Sequence, residues 1–98
     1  MKTVFLRRFM TRNFISSDNQ RNYEVELKLD LQQDVIFNKE DKIKHHAIDE
    51  EYVVINEIRY NLDENIREVL LSAKGVKART QEEFLSEVQP YEEKGWYK

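Results

Sequence analysis

The sequence predicts an α+β fold: an antiparallel sheet of three to four strands, made of a long N-terminal hairpin plus a second strand region, with one or two C-terminal helices packed on one face. Three observations predict it. Apolar and polar residues alternate from Tyr23 to Phe37, a turn-forming polar cluster precedes that run, and helix-start signals stand at Asp63 and Thr80.

Met1 to Ile15 comes first and fits neither period cleanly. As a strand it places Val4, Leu6, Met10 and Phe14 on one face and Phe5, Phe9 and Ile15 on the other, both faces shared with arginines. As a helix it brings Leu6, Met10 and Phe14 together at i+4, and its acid-free, Arg-containing composition ending in Ser16 and Ser17 has the character of a mitochondrial presequence. Thr3, Val4, Phe5, Thr11, Phe14 and Ile15 favour extended backbone, so a strand is expected.

Ser16 to Asn22 is a run of small polar residues suited to a hairpin loop. After it, Tyr23, Val25, Leu27, Leu29, Leu31, Val35 and Phe37 occupy odd positions and acids, Lys28 and Gln32 occupy even ones. Only Gln33 and Ile36 break the pattern, and a bulge or bend is expected at Gln32-Gln33-Asp34. The strand buries one face and leaves a charged one open, as antiparallel sheets allow. Asn38 to Glu51 is a highly charged stretch with Ile43 and Ile48 as its only substantial apolar anchors and is expected to be a connecting loop or short helix. Tyr52 to Leu62 is rich in strand formers; it is either one strand or a small hairpin turning at Asn56-Glu57.

Asp63 is a suitable N-cap for a helix whose apolar face would hold Ile66, Val69, Leu70 and Ala73, with Gly75 just past its end. Thr80 and Glu83 form a capping-box pair ahead of Phe84, Leu85 and Val88, and Pro90 is expected to stop that helix. Residues 91–98 form a tail ending in Gly95-Trp96-Tyr97-Lys98.

The whole chain, 98 residues, reads as one domain. It has no cysteine, which removes disulfides, thiolate metal sites and cysteine nucleophiles. No apolar run exceeds four residues, so no membrane span is expected and a cytoplasmic location is. Charge is unevenly spread: residues 1–22 carry a net +4 and the remainder −7. Such a split indicates either a basic contact surface or pairing of the first segment with the acidic remainder across neighbouring strands, and the internal pairing is expected.

Catalytic patterns are missing. His45 and His46 are adjacent and lack a third defined ligand, so no metal is expected. Two glycines cannot build a phosphate cradle, no serine sits in a nucleophile elbow, and the acidic pairs are neighbours in sequence rather than groups across a pocket. No enzyme activity and no cofactor are expected. The leading expectation is a small protein-interaction or regulatory module, of a size and composition that suit a phage or mobile-element accessory protein. Trp96 and Tyr97 would anchor a partner, unless they fold back to cap the core. The alternative is nucleic-acid binding through Arg7, Arg8, Arg12 and Arg21 with Phe5, Phe9 and Phe14 available for stacking. A homodimer through an uncovered edge strand is a further expectation.

Overall fold

The computed structural model describes residues 1–11 and 22–98. Among them run strands β1 (Lys2–Thr11), β2 (Glu24–Asp30), β3 (Lys42–His45), β4 (Asp49–Asn61), β5 (Ile66–Leu71) and β6 (Lys74–Val76), then helix α1 (Gln81–Glu93). The strand order is β2-β1-β5-β4-β3, with β6 pairing β1 beyond the end of β5. The class is α+β as expected, but the sheet has more strands and is mixed, since β1 runs parallel to β5 and β6 while the other pairs are antiparallel.

The ambiguity of the first segment has a structural cause. β1 is a central strand, paired on both edges and buried on both faces from Thr3 to Arg7. Thr3, Phe5, Arg7, Phe9 and Thr11 point to the core side, in register with Leu29, Leu27 and Val25 of β2. Val4 and Leu6 point the other way and are buried too, in register with Asp30 and Lys28 of β2 and with Glu68 and Leu70 of β5. A strand buried twice shows no period-2 signature, which is why the sequence there matched neither template. The helical reading of this segment is corrected for residues 2–11; Phe14, Ile15 and residues 16–21 of the expected loop lie outside the described residues.

The alternation from Tyr23 holds through Leu29 and then ends. Leu27 and Leu29 are buried, yet β2 stops at Asp30 and lies at an edge of the sheet, not at its centre. Residues 31–37 are not a strand: Leu31 and Phe37 still pack on the core, whereas Val35 and Ile36 face outward. The charged stretch 38–51 is not a loop or helix either. It turns at residues 38–41, where Glu40 takes the left-handed φ of 75°, and then forms β3 and the start of β4. Tyr52 to Asn61 belongs to the single strand β4, Leu62 opens the turn that follows, and Asn56 is a bulge between Ile55 and Glu57, not a hairpin turn. The bulge shifts the buried parity from Val53 and Ile55 to Ile58.

The helix expected after Asp63 is the largest correction. Residues 62–65 form the β4–β5 turn, with Asn65 at a left-handed φ of 57°, and Ile66–Leu71 is strand β5, held between β1 and β4. The i, i+3, i+4 spacing of Ile66, Val69 and Leu70 is equally compatible with a two-sided buried strand, and the β-branched residues tip the balance once two strand edges are available.

Helix α1 starts as its cap predicts, the Thr80 hydroxyl accepting from the Glu83 N–H at 3.2 Å. It does not stop at Pro90 but continues to Glu93. Losing one N–H there is outweighed by the packing of Tyr91 on Phe9, ring centroids 4.6 Å apart, with Phe84 and Val88 buried on the same side. No helix among the described residues is long and apolar enough to cross a membrane.

Candidate interaction surface

The basic N-terminal strand is largely consumed by the fold itself. Arg7 points into the core, 5% exposed. It donates from Nη1 to Asp49 Oδ2 at 2.9 Å and from Nε to the Ser72 carbonyl at 3.0 Å, where the chain leaves β5 for β6. Lys74 adds a second cation at 3.6 Å from the same Asp49 oxygen. Burial opposes ionisation of Asp49 and is the largest single influence on it. The Arg7 hydrogen bond, the Glu51 N–H and the two cations together outweigh it and hold the carboxyl below its ordinary value.

On the open face Arg8 pairs with Glu24 at 2.7 Å and Lys2 with Asp30 at 2.9 Å. Among the described residues, Lys2, Arg7 and Arg8 of the basic segment are thus each paired with an acid on another strand. Phe5 and Phe9 are fully buried. This placement removes Arg7 and both phenylalanines from the nucleic-acid surface expected of them; Arg12 and Arg21 lie outside the described residues.

The C-terminal tail folds back. Gly95, at a φ of 109° that side chains other than hydrogen rarely tolerate, turns the chain out of α1. Trp96 is then 2% exposed, edge-on to Phe9, with its indole N–H donating to the Ala47 carbonyl at 2.6 Å. Tyr97 pairs its backbone with Lys28 of β2, and its hydroxyl donates to Asp30 at 2.5 Å. That hydrogen bond, with Lys2 alongside, lowers the Asp30 pKa, and the same bond raises that of Tyr97. Of the two roles open to Trp96 in the sequence, the structure has the folded-back one: it is an internal plug, and its neighbour ties down an edge strand. The tail therefore fastens β2 on one side and the β3–β4 turn on the other.

His45 and His46 stack at 4.2 Å, and His45 Nδ1 accepts from the Ala47 N–H at 3.0 Å, so His45 organises a tight turn.

A different surface emerges around residues 31–37. Arg67 on β5 reaches across Thr3 and holds this segment by its backbone. Nη1 donates to the Val35 carbonyl at 2.8 Å, Nη2 to the Gln33 carbonyl at 2.9 Å, and Nε and Nη2 to the Thr3 hydroxyl at 3.2 and 2.9 Å. The guanidinium lies 4.8 Å from the Phe37 ring centre. Gln32 adds bonds to Thr3 N–H and the Met1 carbonyl. The result is a hydrogen-bonded segment that presents Val35, 51% exposed, and Ile36, 86% exposed, beside Met1 and Tyr60.

Behind Val35 opens an apolar cleft of about 220 Å³, between this segment and β3. Phe5, Leu31, Phe37, Ile43 and Ile48 line it, with Gln33, Lys44 and His45 at its polar parts. On the opposite face a depression of about 280 Å³ is floored by Leu6 and Leu70 but walled by Arg8, Glu26 and Glu57. Sequence reasoning missed the first surface. Its one visible trace was Ile36, an apolar residue on the polar phase of the alternating run.

Comparison with models of known protein families, with curated proteins and with solved structures returned no match.

Proposed function

We propose that this chain is a non-catalytic protein-interaction module that meets its partner at the Val35–Ile36 surface. One observation carries the reading: an arginine is committed to fixing a segment whose two adjacent β-branched side chains stay in water. Leaving a large aliphatic side chain exposed forgoes about 1.5–3 kcal/mol of burial, and scattered exposure of that kind is ordinary. Here Val35, Ile36, Met1 and Tyr60 are contiguous around one depression on a backbone held by Arg67, which is the form an interaction patch takes. Preorganisation by Arg67 lowers the ordering cost on binding.

The test is site-specific photo-cross-linking in the cells that make the protein. A benzoylphenylalanine at position 36 is expected to give a discrete adduct with another protein, and the same group at Glu87 on the exposed side of α1 is expected to give none. Equal labelling from both positions, or none from position 36, would sink the reading.

A further inference from the structure

The interaction-module reading leaves open what a partner puts against the cleft behind Val35, and the sheet edge beside it answers this. Among the described residues β3 ends the strand order, so one side of its backbone carries N–H and C=O groups with no neighbouring strand there. Along it, half-buried Ile43 and His45 alternate with exposed Lys42 and Lys44. Ile43 and His45 line the cleft, Lys44 stands at its polar part, and the register with β4 shifts between Ile43 and His45. Lys42 and Lys44 take part in none of the ion pairs among the described residues; Lys44 instead lies 5.5 Å from the ring centre of the exposed Tyr52.

Building on the proposed function, we infer that β3 and the cleft together bind an extended segment of a partner protein, added as a strand, whose side chains alternate between apolar and acidic. A strand placed on that edge shares the pleat of β3. Every second side chain then enters the cleft among Phe37, Ile43 and Ile48, and the intervening ones come beside Lys42 and Lys44, where carboxylates are favoured. The edge is short and bears lysines, features that keep a free strand from pairing indiscriminately. The same lysines discriminate by charge, turning a protected edge into a selective one. A basic extended segment meets like charges on one face, and a wholly polar one leaves the cleft unfilled.

The probe is a short capped peptide that alternates valine with glutamate, compared with its valine–lysine counterpart and with a glutamate version N-methylated at alternate residues. Binding is followed by amide chemical shifts and hydrogen exchange on the full chain. The glutamate peptide is expected to shift and protect amides of residues 42–45, and the lysine and N-methylated peptides to bind at least about tenfold more weakly. In the doubly exposed variant Lys42→Glu with Lys44→Glu, the preference between the two charged peptides is expected to reverse. If no peptide perturbs residues 42–45, or the variant keeps the original preference, strand addition is overturned. Concentration-dependent self-association that protects the same amides without peptide also overturns it, in favour of a second copy. The position-36 adduct judges the broader reading separately, so the two can fail independently.

Discussion

The two ends of the core face are closed by opposite means. At the α1 end, Trp96, Tyr91, Phe84 and Val88 plug the space over Phe9 with apolar surface, and one indole hydrogen bond sets the plug's angle. At the other end, the covering segment 31–37 is held chiefly by the guanidinium of Arg67, and two of its apolar side chains stay outside. An apolar plug gains stability from the area it buries. A polar clamp gains less, but it fixes a backbone while leaving side chains free to meet something else. Strength of closure and availability for contact are thus exchanged between the ends.

If that contrast is right, substitutions should rank accordingly. Trp96→Ala opens a large cavity in the dry end and is expected to cost about 3–5 kcal/mol, read as a lower denaturant midpoint with cooperative unfolding intact. Asp49→Ala leaves Arg7 buried without its anion and is expected to cost about 3 kcal/mol. The same carboxylate predicts a pH dependence. Its folded pKa lies below its unfolded value of about 3.9, so its contribution is complete above that pH and lost as pH falls through the folded value. The wild-type chain should therefore lose stability below about pH 4 more steeply than Asp49→Ala does, which acid titration of the unfolding midpoint measures.

Arg67→Met tests the clamp. The expected cost is about 1.5–3 kcal/mol, with faster hydrogen exchange concentrated in residues 31–37 and at Thr3. A cooperative loss as large as that of Trp96→Ala would erase the distinction between the ends. The smallest effect is expected from Ile36→Asp, less than about 0.5 kcal/mol by thermal melting, with loss of the position's partner contact. A strongly destabilised Ile36→Asp protein would instead assign the side chain to folding.

What could be read from the residues divides along the same physical line. Tyr23 to Leu29 was legible because one face is buried and the other wet, which writes period 2 into the sequence. β1 and β5 were not, because strands enclosed on both faces lose that signature, and Ile66, Val69 and Leu70 then happen to match helical spacing. The Thr80 cap was legible because its partners lie within one turn; the helix's passage through Pro90 was not, because Tyr91 is held by Phe9, far away in sequence. The candidate surface was almost invisible. Arg67 and the carbonyls it grips are 32 and 34 residues apart, so nothing local marks that arginine as different from any other.

The central position of β1 bears on how the chain acquires its shape during synthesis. Lys2 to Leu6 take their parallel neighbours from Ile66 to Leu70, and Phe9 to Thr11 theirs from Lys74 to Val76, so the earliest-made strand waits for some of the latest-made ones. Ribosomes add roughly 5–20 residues per second, which leaves a doubly apolar segment without its partner for several seconds in each nascent molecule. Hairpin formation with β2 shields one edge early, while the other stays open to chaperones or to aggregation until β5 emerges.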